Sequence, residues 1–577
     1  MTNSDENKPS VERVDDIPAI YGLLEQMGIQ AIVDDAITPH GNWIGLSPGW
    51  VITLWLTHIL SEQNHLMEPV QQWVRRHLFI LTRLTGQKVR ELDFADDRLA
   101  ICLRALSESS AWEAIETQLG RRLIRVYDLK TDRVRLDATV GTVHHSPDRS
   151  SLFKVGKAKN GLYETQFKLM MAGLDPMGLP LVADVKPGNM ADDPLYIPSY
   201  LRAKKIIGHD GILVMGDSKM SALLTRGTIV LGKDGYLLPL ADKKDEPELL
   251  SQLLTDWLIK DAVSLPIFLP EDLPADGSAP DPKLAIAQGF EVTRTRTVVV
   301  NGTEVTWDER LLVVQSYSYM QSVRAGLAQR LDKAEAALVA LTPPRQRGKK
   351  QVTEEAKLLS AIEQVEKKYR VQGFFHHDIQ EEVTERPVRA YKETPAHTDR
   401  QVRYQLTVSR HQSAIRDAEF AAGWRIYATN VPSGQLSLTQ AVLAYRDQII
   451  EENIFRRLNG KMLSITPLYV QREDHAVGLI HLLTLGARVL ALGDYLAREA
   501  LAEAGEELAD IYAGNANRST DRPTSERMFK ACEGIHLVIY HQEGRTVSFL
   551  TELKPVHERI LALLGLNSSL LSCLQLA

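Results

Sequence analysis

The sequence predicts an α/β fold: a mixed sheet flanked by helices, interrupted by a large α+β insertion and preceded by a helical domain. Three observations predict it. Apolar residues recur at helical spacing through residues 17–125. From about 131 the pattern turns to alternation and short apolar runs, in the order β-β-β-α-β-α-β up to 240. That order breaks between 241 and 415, and core-like strand and helix patterns resume near 423. A chain of 577 residues is too long for one hydrophobic core. The expected segments are 1–16 disordered, 17–125 helical, 126–240 core, 241–415 insertion, 416–505 core resumed, and 506–577 a C-terminal region.

In the helical segment, Ile17 to Met27 is amphipathic and Gly28 stops it. Ser47 caps a second helix with Pro48 at its first position. A third starts at Asp96 or Asp97. Trp73, Arg75, Arg76, His77 and Arg83 form a basic and aromatic cluster, read either as a solvated helix face or as a DNA contact.

In the core, Arg133 to Val140 alternates, with Val134, Leu136, Ala138 and Val140 on one face. Arg133, Arg135, Asp137 and Thr139 form the polar face of a half-buried strand. Phe167–Leu174 and Leu179–Val185 follow as strands joined by the turn Asp175-Pro176-Met177-Gly178. A helix is expected around Tyr196–Lys204. Ile212 to Met215 is a buried strand ending in Gly216-Asp217-Ser218, with Ser218 as the cap of the next helix. Tyr236–Leu238 is a further short strand.

In the insertion, Glu291–Val300 and Glu304–Tyr317 alternate around Asn301-Gly302, a hairpin signal. Ser322–Ala340 and Thr353–Tyr369 are amphipathic helices separated by a basic tip containing Arg345, Arg347, Lys349 and Lys350. The tip is either a solvated loop or a phosphate contact. Gly423–Asn430 reads as a strand and turn, and one long helix is expected from Thr439 to Leu458. Helices follow over 474–504. The C-terminal region has a helix, a hairpin at Glu543-Gly544 and a last helix from Pro555.

Composition excludes several classes. The chain is 44% apolar and 24% charged, as in ordinary globular proteins. Its three cysteines, Cys102, Cys532 and Cys573, are too dispersed for a zinc knuckle or disulfide framework, which points to a reducing cytosol. Met1–Asp16 lacks the features of a signal peptide. The apolar run Val51–Leu60 is short of the roughly 20 residues a membrane span needs, so no membrane association is expected. The net charge of −7 does not exclude nucleic acid. DNA feels local patches within about 8–10 Å.

Asp137 lies mid-strand, and Asp217 ends a buried strand, where sites form in open α/β sheets. On the helix after 439, Tyr445, Gln448, Glu452 and Asn459 share one face. Glu451 stays open as a rival to Glu452. Three such carboxylates suit a pair of hard divalent ions, which drive phosphodiester hydrolysis and transfer.

Leu136-Asp137-Ala138-Thr139, Val214-Met215-Gly216-Asp217-Ser218 and the helix Tyr445–Leu458 resemble the DDE transposases of bacterial insertion sequences. They look like the cut-and-paste group with the signature Tyr, two residues, Arg, three residues, Glu, six residues, Lys. Pro187-Gly188-Asn189 with Asp192 and Asp193, Thr429-Asn430 and Phe455-Arg456 add to the likeness, as does Ile20-Tyr21-Gly22-Leu23-Leu24 near the start. Counted from Tyr445, the signature selects Glu452. Gln448 and Asn459 depart from its Arg and Lys, whose phosphate contacts Arg446, Arg456, Arg457 or Lys461 would supply instead.

The resemblance implies a ribonuclease-H-like core with Asp137, Asp217 and Glu452 as catalytic metal ligands for Mg2+, with Mn2+ as an alternative. It implies double-stranded DNA partners, namely terminal inverted repeats and target DNA, bound by a synaptic homodimer. The expected location is cytoplasmic and nucleoid-associated, and the N-terminal helical domain is the expected DNA-binding domain. Lys154, Lys157, Lys159 and Lys168 make 151–170 basic, a candidate DNA-backbone surface together with Tyr445. A catalytically inactive DNA-binding regulator and a metal-dependent nuclease are the alternative functions. His144 and His145 are expected in a polar loop, His376-His377-Asp378 in a structural role and Trp424 in the core.

Overall fold

The computed structural model describes residues 9–158, 161–240, 248–346, 351–390, 395–446, 449–515, 517–542 and 545–576, with backbone alone for 449–453 and 542. The chain forms two compact units. One comprises Met1–Leu238, Thr295–Asp308 and Ala444–Ala577, the other Pro239–Arg294 and Glu309–Leu443.

The first unit opens with β1 (Ser10–Arg13). β1 pairs antiparallel with the distant strand His536–Gln542. The Glu12 carboxylate accepts N–H bonds from Phe79 and Ile80 at 3.1 and 3.0 Å, and Val14 is wholly buried. Residues 10–16 are therefore ordered, contrary to the expectation of disorder over 1–16. Their local polarity hides a pairing partner more than 500 residues away. Residues 1–8 lie outside the described residues.

The helical segment is α1 (Ile17–Met27), α2 (Ile29–Ala36), α3 (Pro48–Glu62), α4 (Glu68–Arg76), α5 (Leu78–Thr85), α6 (Asp96–Ser107) and α7 (Ser109–Val126). Gly28 ends α1 at φ 74°, a left-handed conformation that favours glycine. Ser47 caps α3, its side chain accepting from the Trp50 N–H.

The sheet of this unit follows: β2 (Arg133–Thr142), β3 (Lys154–Lys157), β4 (Tyr163–Leu174), β5 (Leu179–Pro187), α8 (Asp193–Ile207), β6 (Leu213–Gly216), α9 (Leu223–Leu231) and β7 (Gly235–Pro239). β2 pairs antiparallel with β4 and parallel with β6, and β6 pairs parallel with β7. β3 and β5 both pair antiparallel with β4, along different stretches of it. The result is a mixed sheet flanked by helices. One expectation fails on β2. Arg135, which alternation places on a polar face, is 2% exposed. Its guanidinium binds Asp175 at 2.9 Å and donates to the Ala444 carbonyl, which satisfies a charge that burial would otherwise penalise.

The second unit contains α10 (Leu249–Ile259), β8 (Leu265–Ile267), the start of β9 (Ala287–Val300), the end of β10 (Thr303–Ser316), α11 (Tyr317–Val339), α12 (Glu355–Tyr369), β11 (Phe375–Val388), β12 (His397–Arg410), α13 (Gln412–Ala421), β13 (Trp424–Thr429) and most of α14 (Leu438–Arg446), while the β9–β10 hairpin tip, Thr295–Asp308, belongs to the first unit. β8 pairs with β9 and β10 with β13, all antiparallel. Asn301 and Gly302 turn between β9 and β10 with φ 49° and 82°, the two positive values the sequence signal requires. β11 and β12 form a long antiparallel ribbon that periodicity did not reveal. Most of its residues are exposed, so no apolar alternation marks it. Its base joins a small core with Leu327, Leu331, Leu358 and Ile362.

The chain returns to the first unit through α15 (Ile449–Asn459), α16 (Glu473–Ala504), α17 (Ser525–Ala531), β14 (His536–Gln542), β15 (Arg545–Leu550), α18 (Pro555–Leu563) and α19 (Ser569–Ser572). By length and composition α16 could cross a membrane, but 94% of its apolar window is buried inside the protein. It packs so tightly on α6 that a Cβ at Gly478 would stand 1.9 Å from the Leu103 carbonyl oxygen. Glu116 of α7, Arg202 of α8 and Arg488 of α16 meet in a buried ionic cluster, in which Glu116 accepts from Arg488 at 2.9 Å.

Candidate active site

β2 and β6 run parallel with Leu136 opposite Gly216. Asp137 and Asp217 each follow that pair by one residue, so the register sets the two acids side by side. Gly216 permits the approach, since a Cβ there would stand 2.7 Å from the Met220 sulfur and 3.1 Å from the Leu136 oxygen. Both acids are half-buried.

Asp217 also caps the short 3-10 turn Ser218–Ser221, the role the sequence assigned to Ser218. Its Oδ1 accepts the Lys219 N–H at 2.9 Å and the Tyr196 hydroxyl at 2.6 Å. Tyr196 comes from α8 and has no solvent exposure. Burial, then the neighbouring Asp217 carboxylate, push its phenol far above the ordinary range. The Oδ1 of Asp137 accepts the Ala138 N–H at 2.8 Å.

α15 lies over the same side of β2. Gly173 pairs with Arg135, and a Cβ on it would stand 3.0 Å from the Ile454 side chain of α15. Asp137, two residues beyond Arg135, points to that face. Glu451 and Glu452 belong to α15, two to three residues before Ile454. Their side chains lie outside the described residues, as does Gln448. Among the described residues no three His, Cys, Asp or Glu side chains are grouped to hold a metal ion. Asp137 and Asp217 are the two carboxylates that can be placed.

A cleft of about 380 Å3 adjoins Asp217 through Lys219. Ala138 and Val140, on the face of β2 opposite Asp137, floor it, and Lys157, Lys168, Lys219 and Asp192 wall it. Lys168 and Lys219 both bind Asp192. Burial opposes ionisation of Asp192, but the two lysines outweigh it and hold the carboxyl below its usual range.

No protein-family model matches this chain, and no curated protein matches it. Among solved structures it is similar to the piggyBac transposase in a cryo-EM structure of a synaptic complex with hairpin DNA. The TM-score is 0.33 at 8% identity, covering 98% of this chain and 84% of that one. The site rests on its own geometry.

The expected DNA-facing residues divide. Arg75 and Arg76 are exposed at the end of α4, with Arg75 3.7 Å from Glu91. Trp73 and His77 of the same cluster are buried against each other, with ring centroids 4.9 Å apart. Lys154 is half-exposed and donates to the Pro147 carbonyl at 3.3 Å, while Lys157 is exposed at the cleft. Tyr445 is half-buried, and Arg446, Arg456, Lys461 and Arg345 are exposed. Lys159, Arg347, Lys349 and Lys350 lie outside the described residues. Arg457 is a correction: its guanidinium turns inward to Asp494 and to Glu526, the latter at 3.1 Å, so it is not presented to a phosphate.

His145 stacks on Phe153 at 4.2 Å and meets the Val470 carbonyl at 2.8 Å, a structural use. His377 pairs with Glu366 at 3.1 Å, and Trp424 packs against Trp257 and Phe290. Sequence reasoning missed Tyr196, Lys219 and the ion pairs of Asp192. Tyr196 lay in an expected helix, but its facing partner depends on tertiary packing.

Proposed function

We propose that the chain is a DDE-type DNA transposase built on a ribonuclease-H-like core. It binds transposon ends as double-stranded DNA, cleaves them and joins the 3′-hydroxyl ends to target DNA. The observation that carries this reading is the parallel register that aligns Asp137 with Asp217 under α15.

The donor set fits Mg2+, with Mn2+ as an alternative. Both ligands are hard carboxylates, and both hydrogen bonds to Asp217 fall on Oδ1. Asp137, Asp217 and Glu452 would hold the metal, which when bound activates the attacking oxygen and stabilises the leaving one. Tyr196 and the Lys219 N–H fix the Asp217 carboxylate. Arg446, Arg456 and Lys461 are exposed to receive backbone phosphates. Action as a synaptic homodimer on nucleoid DNA in the cytoplasm completes the proposal.

The test incubates purified protein with end DNA and a supercoiled plasmid. Mg2+-dependent 3′-hydroxyl nicking and joined products are expected, and both should vanish in Asp137→Ala and Asp217→Ala while end binding persists. Cleavage retained by Asp217→Ala would refute the assignment. Cleavage without joining would favour a nuclease, and binding without either a regulator.

A further inference from the structure

The cleft beside Asp217 has the features of a binding site. Lys157, Lys168 and Lys219 face one carboxylate, Asp192, so its lining is cationic. Lys168 and Lys219 share Asp192, whereas the Lys157 ammonium has no hydrogen bond or ion pair among the described residues. Two glycines let the segments of the wall pack closely. A Cβ at Gly156 would stand 2.6 Å from the Gly188 oxygen, and one at Gly188 would stand 1.9 Å from the Gln166 oxygen.

Gln166 supplies a second, independent observation. It is 2% exposed, lines the cleft and donates its Nε2 to the Gly188 carbonyl at 2.9 Å. Its Oε1 has no partner. A buried acceptor left unpaired is costly, so it calls for a donor from a ligand. A phosphodiester alone satisfies the lysines and has no donor for Gln166. A nucleotide has both, since its base edge carries N–H groups. The volume lies within the range of small-molecule sites.

We propose that this cleft binds one nucleotide of the DNA strand adjoining the scissile phosphate, with its phosphate on Lys157 and Lys219 and a base N–H on the Oε1 of Gln166. The choice of a DNA strand over a free nucleotide rests on the function proposed above. Lys219, which lines the cleft, follows Asp217 by two residues, so a strand leaving Asp217 reaches the cleft there.

The test uses the full-length protein in EDTA, where no chemistry occurs. Binding of a fluorescein-labelled single-stranded 12-mer is followed by anisotropy across salt concentrations. Lys157→Ala is expected to weaken binding about fivefold and to lower the salt slope by about 0.7, the loss of one phosphate contact. The 12-mer should be displaced better by dAMP than by deoxyribose 5-phosphate, and least by inorganic phosphate. An unchanged slope in Lys157→Ala, or equal competition by all three, would overturn the proposal. Binding of dAMP that does not displace the 12-mer would overturn it in favour of a free-nucleotide site. A protein that passes this test yet neither cleaves nor joins DNA in Mg2+ refutes the transposase reading and leaves the cleft standing. Cleavage with an indifferent Lys157→Ala does the reverse.

Discussion

The Tyr196 hydroxyl donates to Oδ1 of Asp217 at 2.6 Å from a side chain with no solvent exposure. The Lys219 N–H falls on the same oxygen. Two donors on one oxygen fix the carboxylate plane and leave the other oxygen for the proposed metal. Tyr196→Phe removes one donor and little packing. The Mg2+ concentration for half-maximal cleavage should rise about tenfold, equivalent to ~1.4 kcal/mol, with the melting temperature nearly unchanged. Direct Mn2+ binding, followed by electron paramagnetic resonance without DNA, should weaken in parallel. Equal metal affinity in the two proteins would limit Tyr196 to packing.

Glu116 accepts from Arg488, Arg202 and the Ala183 N–H, with Glu116 and Arg488 both almost fully buried. Glu116→Ala leaves the Arg488 cation uncompensated, which costs about 3–5 kcal/mol. The midpoint of the first urea transition should fall sharply. An unchanged midpoint would show that the cluster contributes no net stability.

Arg457 and Arg456 are neighbours with opposite surroundings. Arg457 is engaged by Asp494 and Glu526, whereas Arg456 is exposed. Arg457→Ala should destabilise the protein by about 3 kcal/mol and leave the salt dependence of DNA binding alone. Arg456→Ala should keep the melting temperature and lower the salt slope by about 0.9. Thermal melts and binding isotherms at several salt concentrations separate the two.

His481 stacks on Trp112 at 4.1 Å and meets the Leu106 carbonyl at 2.8 Å. Burial pushes it down to about 3, and burial followed by His77 pushes His58 down to about 4. Both values lie below the ordinary one of about 6.5. The unfolded chain therefore binds protons that the folded chain refuses, and stability is lost as pH falls from 6.5 toward 4. Asp16 acts oppositely. Burial lifts it to about 7, so its contribution declines as pH rises from 4 to 7. Urea midpoints across pH 4–7.5 should show a flatter acid limb in His481→Gln and a steeper one in Asp16→Asn. Curves parallel to the native one would contradict both assignments.

Much of the first unit was legible because its signals are local. Gly28 and Ser47 mark helix ends, and the apolar run before Asp217 marks a buried strand. The ribbon β11–β12 was not legible, since a two-stranded element exposed on most of its surface needs no apolar alternation. Arg135 misled for a related reason: a buried arginine paired with Asp175 looks in sequence like a polar face. In the candidate site, strand position and resemblance pointed to Asp137 and Asp217, which the β2–β6 register sets side by side. Tyr196 was not, because only the packing of α8 against β2 and the turn after β6 brings it to Asp217. The inward turn of Arg457 likewise depends on Asp494 and Glu526, both distant in sequence.

The central claim is that Asp217 is a metal ligand for phosphoryl transfer. Its most direct test is a metal switch. Asp217→Cys replaces a hard oxygen with a softer thiolate, which disfavours Mg2+ more than Mn2+. Single-turnover cleavage of end DNA by this variant should be lost in Mg2+ and restored at least in part by Mn2+, with end binding intact in both. Cleavage in Mg2+ at the rate of the native protein would contradict the claim.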